Sequence, residues 1–115
     1  MITLSEIVEQ MGLEVRTPSA DLSKAVTGGY ASDLLSCVIA GAKQGNIWVT
    51  LQGHPNIVAV ASLLELSAIV VTEDAAIDPQ TLERAAGESV VVLSSPQSTW
   101  AVVAALAALG VSASE

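Results

Sequence analysis

The one histidine of the chain, His54, lies in a polar segment that separates an apolar stretch typical of a strand from an apolar stretch typical of a helix. Imidazole can accept or donate a proton near neutral pH, so this segment is the first place to look for chemistry. Gln52 and Asn56 flank it and add amide groups that both donate and accept hydrogen bonds. A histidine directly before the helix-starting Pro55 can equally cap the helix. A ligand contact, a general base and a cap therefore all remain open for His54.

Three carboxylates are the other candidates for acid–base chemistry. Glu73 and Asp74 form a pair in a polar turn, and Asp33 lies at the N-terminus of the second predicted helix, a position that suits a carboxylate. Any enzyme hypothesis would combine His54 with Asp33 or Glu73, but no nucleophile–base spacing supports it. An acidic loop on an acidic protein is more commonly a solvated surface. We therefore predict that the chain has no catalytic residues.

Several motifs and clusters that define enzyme classes are missing from the sequence. The P-loop pattern G-x-x-x-x-G-K-[ST] and the dinucleotide fingerprint G-x-G-x-x-G are both absent. No second histidine or cysteine lies near His54, so neither a metal site nor a cofactor is predicted. The single Cys37 excludes an internal disulfide and is predicted to be a small core residue.

Composition and charge narrow the class of partner. Of 115 residues, 51% are hydrophobic and 14% are charged, and the net charge is −8. Ordinary domains have about 25% charged residues, so part of this surface is expected to be covered by another subunit. The shortage of lysine and arginine excludes nucleic acid and anionic membranes as partners. Residues 1–20 show no signal-peptide pattern, which predicts a cytoplasmic protein.

Apolar periodicity predicts helices alternating with strands. Helices are expected at 3–12, 32–44, 55–64, 78–86 and 95–109, and strands at 13–17, 23–27, 47–51, 68–72 and 90–93. The late strands are continuous runs of valine, isoleucine and leucine, which is typical of parallel strands covered on both faces. The sequence predicts one α/β domain over residues 1–115, with three layers and a mainly parallel, Rossmann-like sheet. Residues 112–115 are expected to fray.

Polar turns follow several of the predicted strands, and in a parallel sheet such turns meet at one edge. Ligands bind at the carboxyl ends of parallel strands, and helix N-termini there favour anions. We therefore predict a site for a small anion or nucleotide at this edge. Its candidate residues are Thr27, Gly28, Gly29, Tyr30, Asp33, Gln52, His54 and Asn56.

The last predicted helix differs from the others because residues 100–109 are apolar on every side. Such a helix lies either in the middle of a core or with its outer face in a subunit interface. The low charge of the chain favours the interface, with Trp100, Val103 and Leu106 as candidate contacts. A homodimer and a protein partner are the predicted kinds of assembly.

Two segments together resemble the DRTGG domain family: residues 25–36 (AVTGGYASDLLS) and residues 47–61 (IWVTLQGHPNIVAVA). The resemblance extends over residues 22–110. Of the motif that names the family, Thr27-Gly28-Gly29 are present, and Lys24, Ala25 and Val26 stand before them.

The resemblance implies an α/β domain similar to the N-terminal domain of HPr kinase/phosphorylase, commonly part of a dimer. It also implies an accessory role in regulation or assembly, as in phosphate acetyltransferases and in inorganic pyrophosphatases with CBS domains. The leading hypothesis is thus a non-catalytic, homodimeric sensor of a small anionic metabolite or nucleotide. The alternatives are an assembly subunit that docks a partner enzyme without a ligand and, third, an enzyme using His54.

Overall fold

A mainly parallel sheet runs through the middle of the protein. The computed structural model describes residues 1–114. The strands are β1 (Glu14–Val15), β2 (Gly28–Ala31), β3 (Asn46–Thr50), β4 (Ala68–Val71) and β5 (Val92–Ser94), and the helices are α1 (Leu4–Met11), α2 (Leu35–Gly41), α3 (Asn56–Leu64), α4 (Pro79–Gly87) and α5 (Thr99–Ala108). Their order in the sheet is β1-β5-β4-β3-β2, with β2 to β5 parallel and β1 antiparallel to β5.

The central strands are buried on both faces, as their continuous apolar sequences predict. Every residue of β3 and β4 is buried. Successive side chains of a strand point to opposite faces, so Trp48 packs in one core and Val49 in the other. Helices α2, α3 and α4 cover the Trp48 face, whereas α1 and α5 cover the Val49 face. The prediction of a three-layer α/β domain with a mainly parallel sheet is confirmed.

Several helix ends follow the local signals in the sequence. Thr3 and Glu6 form a reciprocal capping box at α1, and Gly12 ends that helix in the left-handed region with φ of 64°. Asp78 accepts a hydrogen bond from the N–H of Gln80 at the start of α4. These interactions join residues two to four positions apart, so they can be predicted without knowing the fold.

The second strand lies later in the chain than predicted. It covers Gly28–Ala31 instead of residues 23–27, so the two glycines belong to a strand and not to the turn after one. A Cβ at Gly28 would lie 3.2 Å from both Asn46 Nδ2 and the Ser112 carbonyl oxygen. The position is therefore crowded by segments that are distant in sequence, and such crowding leaves no local sequence signal.

Helix α2 begins three residues later than predicted because β3 engages the residues before it. Ser32 donates its N–H to the Val49 carbonyl, and its own carbonyl accepts the indole N–H of Trp48. Ser32 thus extends the pairing of β2 with β3. Cys37, predicted to be buried, is exposed on this helix.

Helix α5 also begins later than predicted, at Thr99 instead of near Ser95. Ser95 donates its N–H to the Val71 carbonyl and so continues the pairing of β5 with β4. Ser98 then caps the helix, and its hydroxyl accepts the N–H of Ala101 at 3.1 Å.

Residues 112–114, part of the predicted tail, lie against β2. The Gly29 N–H donates to the Ser112 carbonyl, and the Ser114 N–H donates to the Gly29 carbonyl, both at 2.8 Å. Glu115, the last residue of the predicted tail, lies outside the described residues. Within residues 1–114, no helix combines the length and the apolar character needed to cross a bilayer.

Candidate functional site at the carboxyl edge of the sheet

The carboxylate of Asp33 joins the end of β2 to the end of β3. Its Oδ1 accepts a hydrogen bond from the Thr50 hydroxyl at 2.8 Å and another from the Leu51 N–H at 2.7 Å. Thr50 is only 1% exposed, so its hydroxyl depends on this partner. Sequence reasoning placed Asp33 at a helix N-terminus, but its carboxylate caps the neighbouring strand instead.

Gln52 completes this polar cluster. Its side-chain Nε2 donates to the Asp33 carbonyl at 3.2 Å, and its backbone N–H donates to the Thr50 hydroxyl oxygen at 3.1 Å. The structure thus brings together two of the predicted site residues, Asp33 and Gln52. It adds Thr50, which sequence reasoning passed over because a threonine at the end of a buried strand looks like any β-branched strand residue.

His54 has a defined structural contact. Its Nδ1 accepts the Asn56 N–H at 3.1 Å, which satisfies one of the free donors in the first turn of α3. The rest of the imidazole is exposed. Of the roles that the sequence left open, the structure gives direct support to the cap, while a ligand contact through the exposed part of the ring stays a prediction.

A shallow depression of about 520 Å³ opens beside His54. We call it the His54 depression, and its lining residues are Gly53, His54, Ala76, Ile77, Asp78 and Pro79. The Gly53 carbonyl accepts hydrogen bonds from the Asp78 N–H and the Thr81 hydroxyl, which ties the segment after β3 to the start of α4. Gly53 also packs directly on the Ala76 carbonyl, leaving no room for a side chain.

Asn56, at the start of α3, has a buried side-chain oxygen without a partner. Its Oδ1 is inaccessible to solvent and has no hydrogen-bond donor among the described residues. A buried acceptor without a donor costs roughly 1–3 kcal/mol, so this oxygen lowers the stability of the start of α3.

Glu73 and Asp74 follow β4, and Glu73 stabilises the start of α5. Both have left-handed backbone conformations, with φ of 63° and 55°. Glu73 Oε2 accepts the Thr99 N–H at 2.7 Å, and the Glu73 N–H donates to the Gln97 carbonyl at 2.8 Å. The carboxylate of Glu73 therefore caps α5. Within residues 1–114, no group of three histidine, cysteine or acidic residues is placed to hold a metal ion.

The TGG motif lies at the other end of the strands. Gly28 pairs with Asn46, the first residue of β3, and the Thr27 N–H donates to the Gly45 carbonyl. Thr27, Gly28 and Gly29 thus mark the amino edge, whereas Asp33, Gln52, His54 and Asn56 lie at the carboxyl edge. The expectation that all four polar turns share one edge is wrong for the TGG turn, because the glycines begin a strand instead of ending one.

Tyr30 lies between the two edges, in the middle of β2. Its ring packs closely against Gly41 of α2, where a Cβ would come within 2.5 Å of Tyr30 Cε1. Tyr30 is half-buried against the core on that face. This packing explains its position without a ligand, and its predicted binding role remains a prediction.

The three interface candidates on α5 do not share one side of the helix. Trp100 is 85% exposed and Val103 is 39% exposed, but Leu106 is 3% exposed and packs in the core. Leu106 therefore lies on the buried side of α5, whereas Trp100 and Val103 lie on its exposed side. The sequence could not separate the sides of α5 because every side is apolar.

Comparison with known proteins identifies the family. The sequence matches the family model described as the DRTGG domain over residues 7–109. Among curated proteins, none matches the sequence. One similar solved structure comprises the CBS and DRTGG domains of the regulatory region of Clostridium perfringens pyrophosphatase, complexed with the activator diadenosine tetraphosphate.

That structure shares the fold with a TM-score of 0.68 at 13% identity. The match covers 90% of this chain and 45% of the pyrophosphatase chain, so the present chain corresponds to about half of that regulatory region. The family match covers most of the chain and includes both segments on which the resemblance was recognised. The chain belongs to the DRTGG domain family.

Proposed function

We propose that the chain is a non-catalytic regulatory module that senses a small anionic metabolite or a nucleotide and works as a homodimer. Family membership over residues 7–109 is the observation that carries this proposal. The similar fold in a pyrophosphatase regulatory region, crystallised with a nucleotide activator, supports it.

The His54 depression is the proposed binding place. Its size suits a small ligand, since ligand sites commonly enclose about 300–1,000 Å³. A second depression of about 550 Å³ is lined by Pro55, Gln80, Glu83 and Arg84. Arg84 pairs with Glu88 at 2.8 Å and is partly exposed, so it can supply positive charge to a phosphate.

The activator bound in the similar regulatory region guides the choice of ligand, because it is a nucleotide, diadenosine tetraphosphate. A nucleotide carries phosphate groups together with a base and a ribose that can donate hydrogen bonds. We therefore favour a nucleotide over a simple phosphate or carboxylate.

Binding there would act on the packing of two helices. Because Gly53 is bonded to both Asp78 and Thr81, a ligand in the His54 depression contacts the starts of α3 and α4 together. A ligand that binds one arrangement of these helices more tightly shifts the population toward it. That shift would bias how the dimer, or a partner enzyme, packs.

The first experiment is a thermal-shift screen of the purified protein against adenine and guanine nucleotides, NADH, acyl-CoA and small phosphates. A ligand at about 100 times its dissociation constant raises the free energy of unfolding by roughly 2.7 kcal/mol, which gives several degrees in melting temperature. Adenine or guanine nucleotides are expected to raise the melting temperature more than phosphate alone does.

Two substitutions of His54 separate binding from capping. His54→Asn keeps a capping acceptor and removes the imidazole, whereas His54→Ala removes both and is expected to cost about 1 kcal/mol of stability. If the imidazole contacts the ligand, both variants lose the ligand-induced shift. If His54→Asn retains the full shift, His54 is only a cap and the proposed place is wrong.

An assembly subunit without a ligand is the second candidate function. The observation in its favour is Trp100, a large apolar side chain that is 85% exposed. A flat ligand screen together with loss of binding to a partner enzyme in Trp100→Asp would support this candidate over the sensor. Turnover of any substrate that disappears in His54→Ala would instead revive the enzyme hypothesis, in which Asp33 or Glu73 would have to leave its present hydrogen bonds.

A further inference from the structure

The outer face of α5 is a continuous apolar stripe. Its exposed residues recur at the spacing of one helix side, and we call them the Trp100 face: Trp100, Val103, Ala104, Ala107 and Ala108. On the opposite side Val102 and Leu106 are buried in the core. The helix contains no charged residue. A solvent-facing helix side is normally polar, so this face is unusual for a surface that stays in water.

A groove of about 430 Å³ lies directly beside this face, between α5 and β2. Gly29, Ala31 and Val49 of the sheet and Val103 and Ala107 of the helix line it. The groove exists because two small residues, Gly29 and Ala31, occupy the edge strand where larger side chains would fill the space. Its lining is mainly apolar, and we call it the β2–α5 groove.

The charge of the chain limits what can cover these two features. With 12 acidic and 4 basic residues, most surfaces of two copies repel each other. The Trp100 face carries no charge and is free of that repulsion. Its exposed tryptophan projects from the surface, and the apolar groove of about 430 Å³ can receive a large apolar side chain. A second copy of the same chain supplies both at once.

The positions along α5 fit a two-fold arrangement. If two copies of α5 lie antiparallel with the axis near Val103 and Ala104, Trp100 of one copy faces Ala107 and Ala108 of the other. The separation from Trp100 to Ala107 is about 10 Å at 1.5 Å per residue. Ala107 borders the β2–α5 groove, so the indole meets small residues and an open space.

We propose that the homodimer forms through the Trp100 face, with Trp100 of each copy seated in the β2–α5 groove of the other. The contact is isologous and closes at two copies, because each copy uses its projecting residue and its groove once. This inference rests on the homodimer of the proposed function and adds its contact surface. A central, fully covered tryptophan is the type of residue that dominates interface energy.

Sedimentation equilibrium of the full chain tests the contact. Trp100→Ala removes the projecting group, and Ala107→Glu places a charge at the groove. Both positions are exposed, so each variant is expected to fold, as melting curves at low concentration would verify. The dimer dissociation constant should rise roughly 30-fold or more in each, the effect of losing at least 2 kcal/mol at a hot spot.

Leu63→Ala is the matched control, because Leu63 is another large apolar residue that is 70% exposed, on α3. It should leave the dissociation constant unchanged. Acrylamide quenching adds a second readout. Trp48 is fully buried, so quenching reports Trp100, which should be protected in the wild-type dimer and should become accessible on dilution.

The outcomes distinguish two failures. A wild-type chain that stays monomeric at high concentration would overturn the proposed homodimer, and this contact with it. A wild-type dimer whose dissociation constant is unchanged in Trp100→Ala would overturn the contact alone. A loss in Leu63→Ala with an unchanged Trp100→Ala would place the interface on α3 instead.

Discussion

The carboxyl edge of the sheet and the Trp100 face are both on the surface, but their groups are partnered very differently. At the carboxyl edge, Asp33 caps β3, His54 caps α3 and Glu73 caps α5, so most polar side chains are already hydrogen-bonded within the chain. On the Trp100 face, apolar side chains project with nothing described to cover them. Most polar groups of the carboxyl edge have hydrogen-bond partners within the chain, whereas the apolar side chains of the Trp100 face have no packing partner among the described residues.

The difference shows that polar residues in a sequence are poor guides to a binding site when each has a structural task. The carboxylates of Asp33 and Glu73, which looked like candidate acids, hold strand and helix ends together. The exposed part of the His54 ring still has capacity for a ligand. The buried side of α5 packs in the core. Its outer side, the Trp100 face, packs against nothing among the described residues and is free for association. Three pairs of substitutions test this contrast, and a fourth prediction concerns a residue outside both surfaces.

The two sides of α5 should respond differently to truncation. Leu106→Ala removes a buried side chain and should lower the free energy of unfolding by about 3 to 4 kcal/mol. Val103→Ala, on the exposed side of the same helix, should change it by less than about 0.5 kcal/mol and weaken only the association. Chemical denaturation of dilute protein measures the first effect. Equal losses in both variants would show that the outer side is not a separate surface.

Gly53→Ala should be the most damaging change at the carboxyl edge. The new Cβ would meet the Ala76 carbonyl, so the segment after β3 must move, at a cost of about 2 to 3 kcal/mol. Gly87→Ala is the control, since a Cβ there meets nothing within 4 Å and alanine favours the helix by about 0.5 kcal/mol. The melting temperature should therefore fall in one variant and rise in the other. A harmless Gly53→Ala would mean that this segment is loosely held.

Asp33 tests whether the carboxyl-edge acids are structural. Asp33→Ala leaves the buried Thr50 hydroxyl without its acceptor and should lower stability by about 1 to 2 kcal/mol. Asp33→Asn keeps an acceptor oxygen and should recover most of that loss. Urea titration compares the variants, with ligand binding measured alongside. A stable Asp33→Ala that loses ligand binding would instead assign Asp33 to the ligand site.

The smallest expected effect lies far from both surfaces, at Asp21. The hydroxyl and N–H of Ser23 bond to this carboxylate and, with a smaller contribution from Lys24, hold the pKa of Asp21 below its ordinary 3.8. Because the folded pKa is the lower one, this stabilisation is present above about pH 4 and is lost as the pH falls through the folded pKa. The difference in melting temperature between wild type and Asp21→Asn should therefore shrink on acidification. A difference independent of pH would contradict the ionic origin.

The sequence predicted those parts of the fold that depend on near neighbours. Continuous apolar runs predicted β3 and β4, and the caps at Thr3 and Asp78 fixed the starts of α1 and α4. The carboxyl-edge position of His54 followed from its place between a strand and a helix. Its use as a cap was one of three roles that the residue type alone could not separate.

The sequence did not predict the features that depend on contacts between residues far apart in the chain. Gly28 and Gly29 form a strand because Asn46 and residues 112–114 pack against them, and Asp33 turns away from α2 because Thr50 and Leu51 lie beside it. A turn signal and a crowded strand look alike in sequence, since glycine permits both.

By itself, the sequence determined an acidic α/β chain of the DRTGG family with polar turns after its strands. Only the tertiary structure decided which side of α5 is buried and which polar groups are already bonded. The physical reason is range: capping and periodicity act over about one turn of a helix or between adjacent strand residues. Packing and edge pairing join residues whose proximity exists only after the chain has folded.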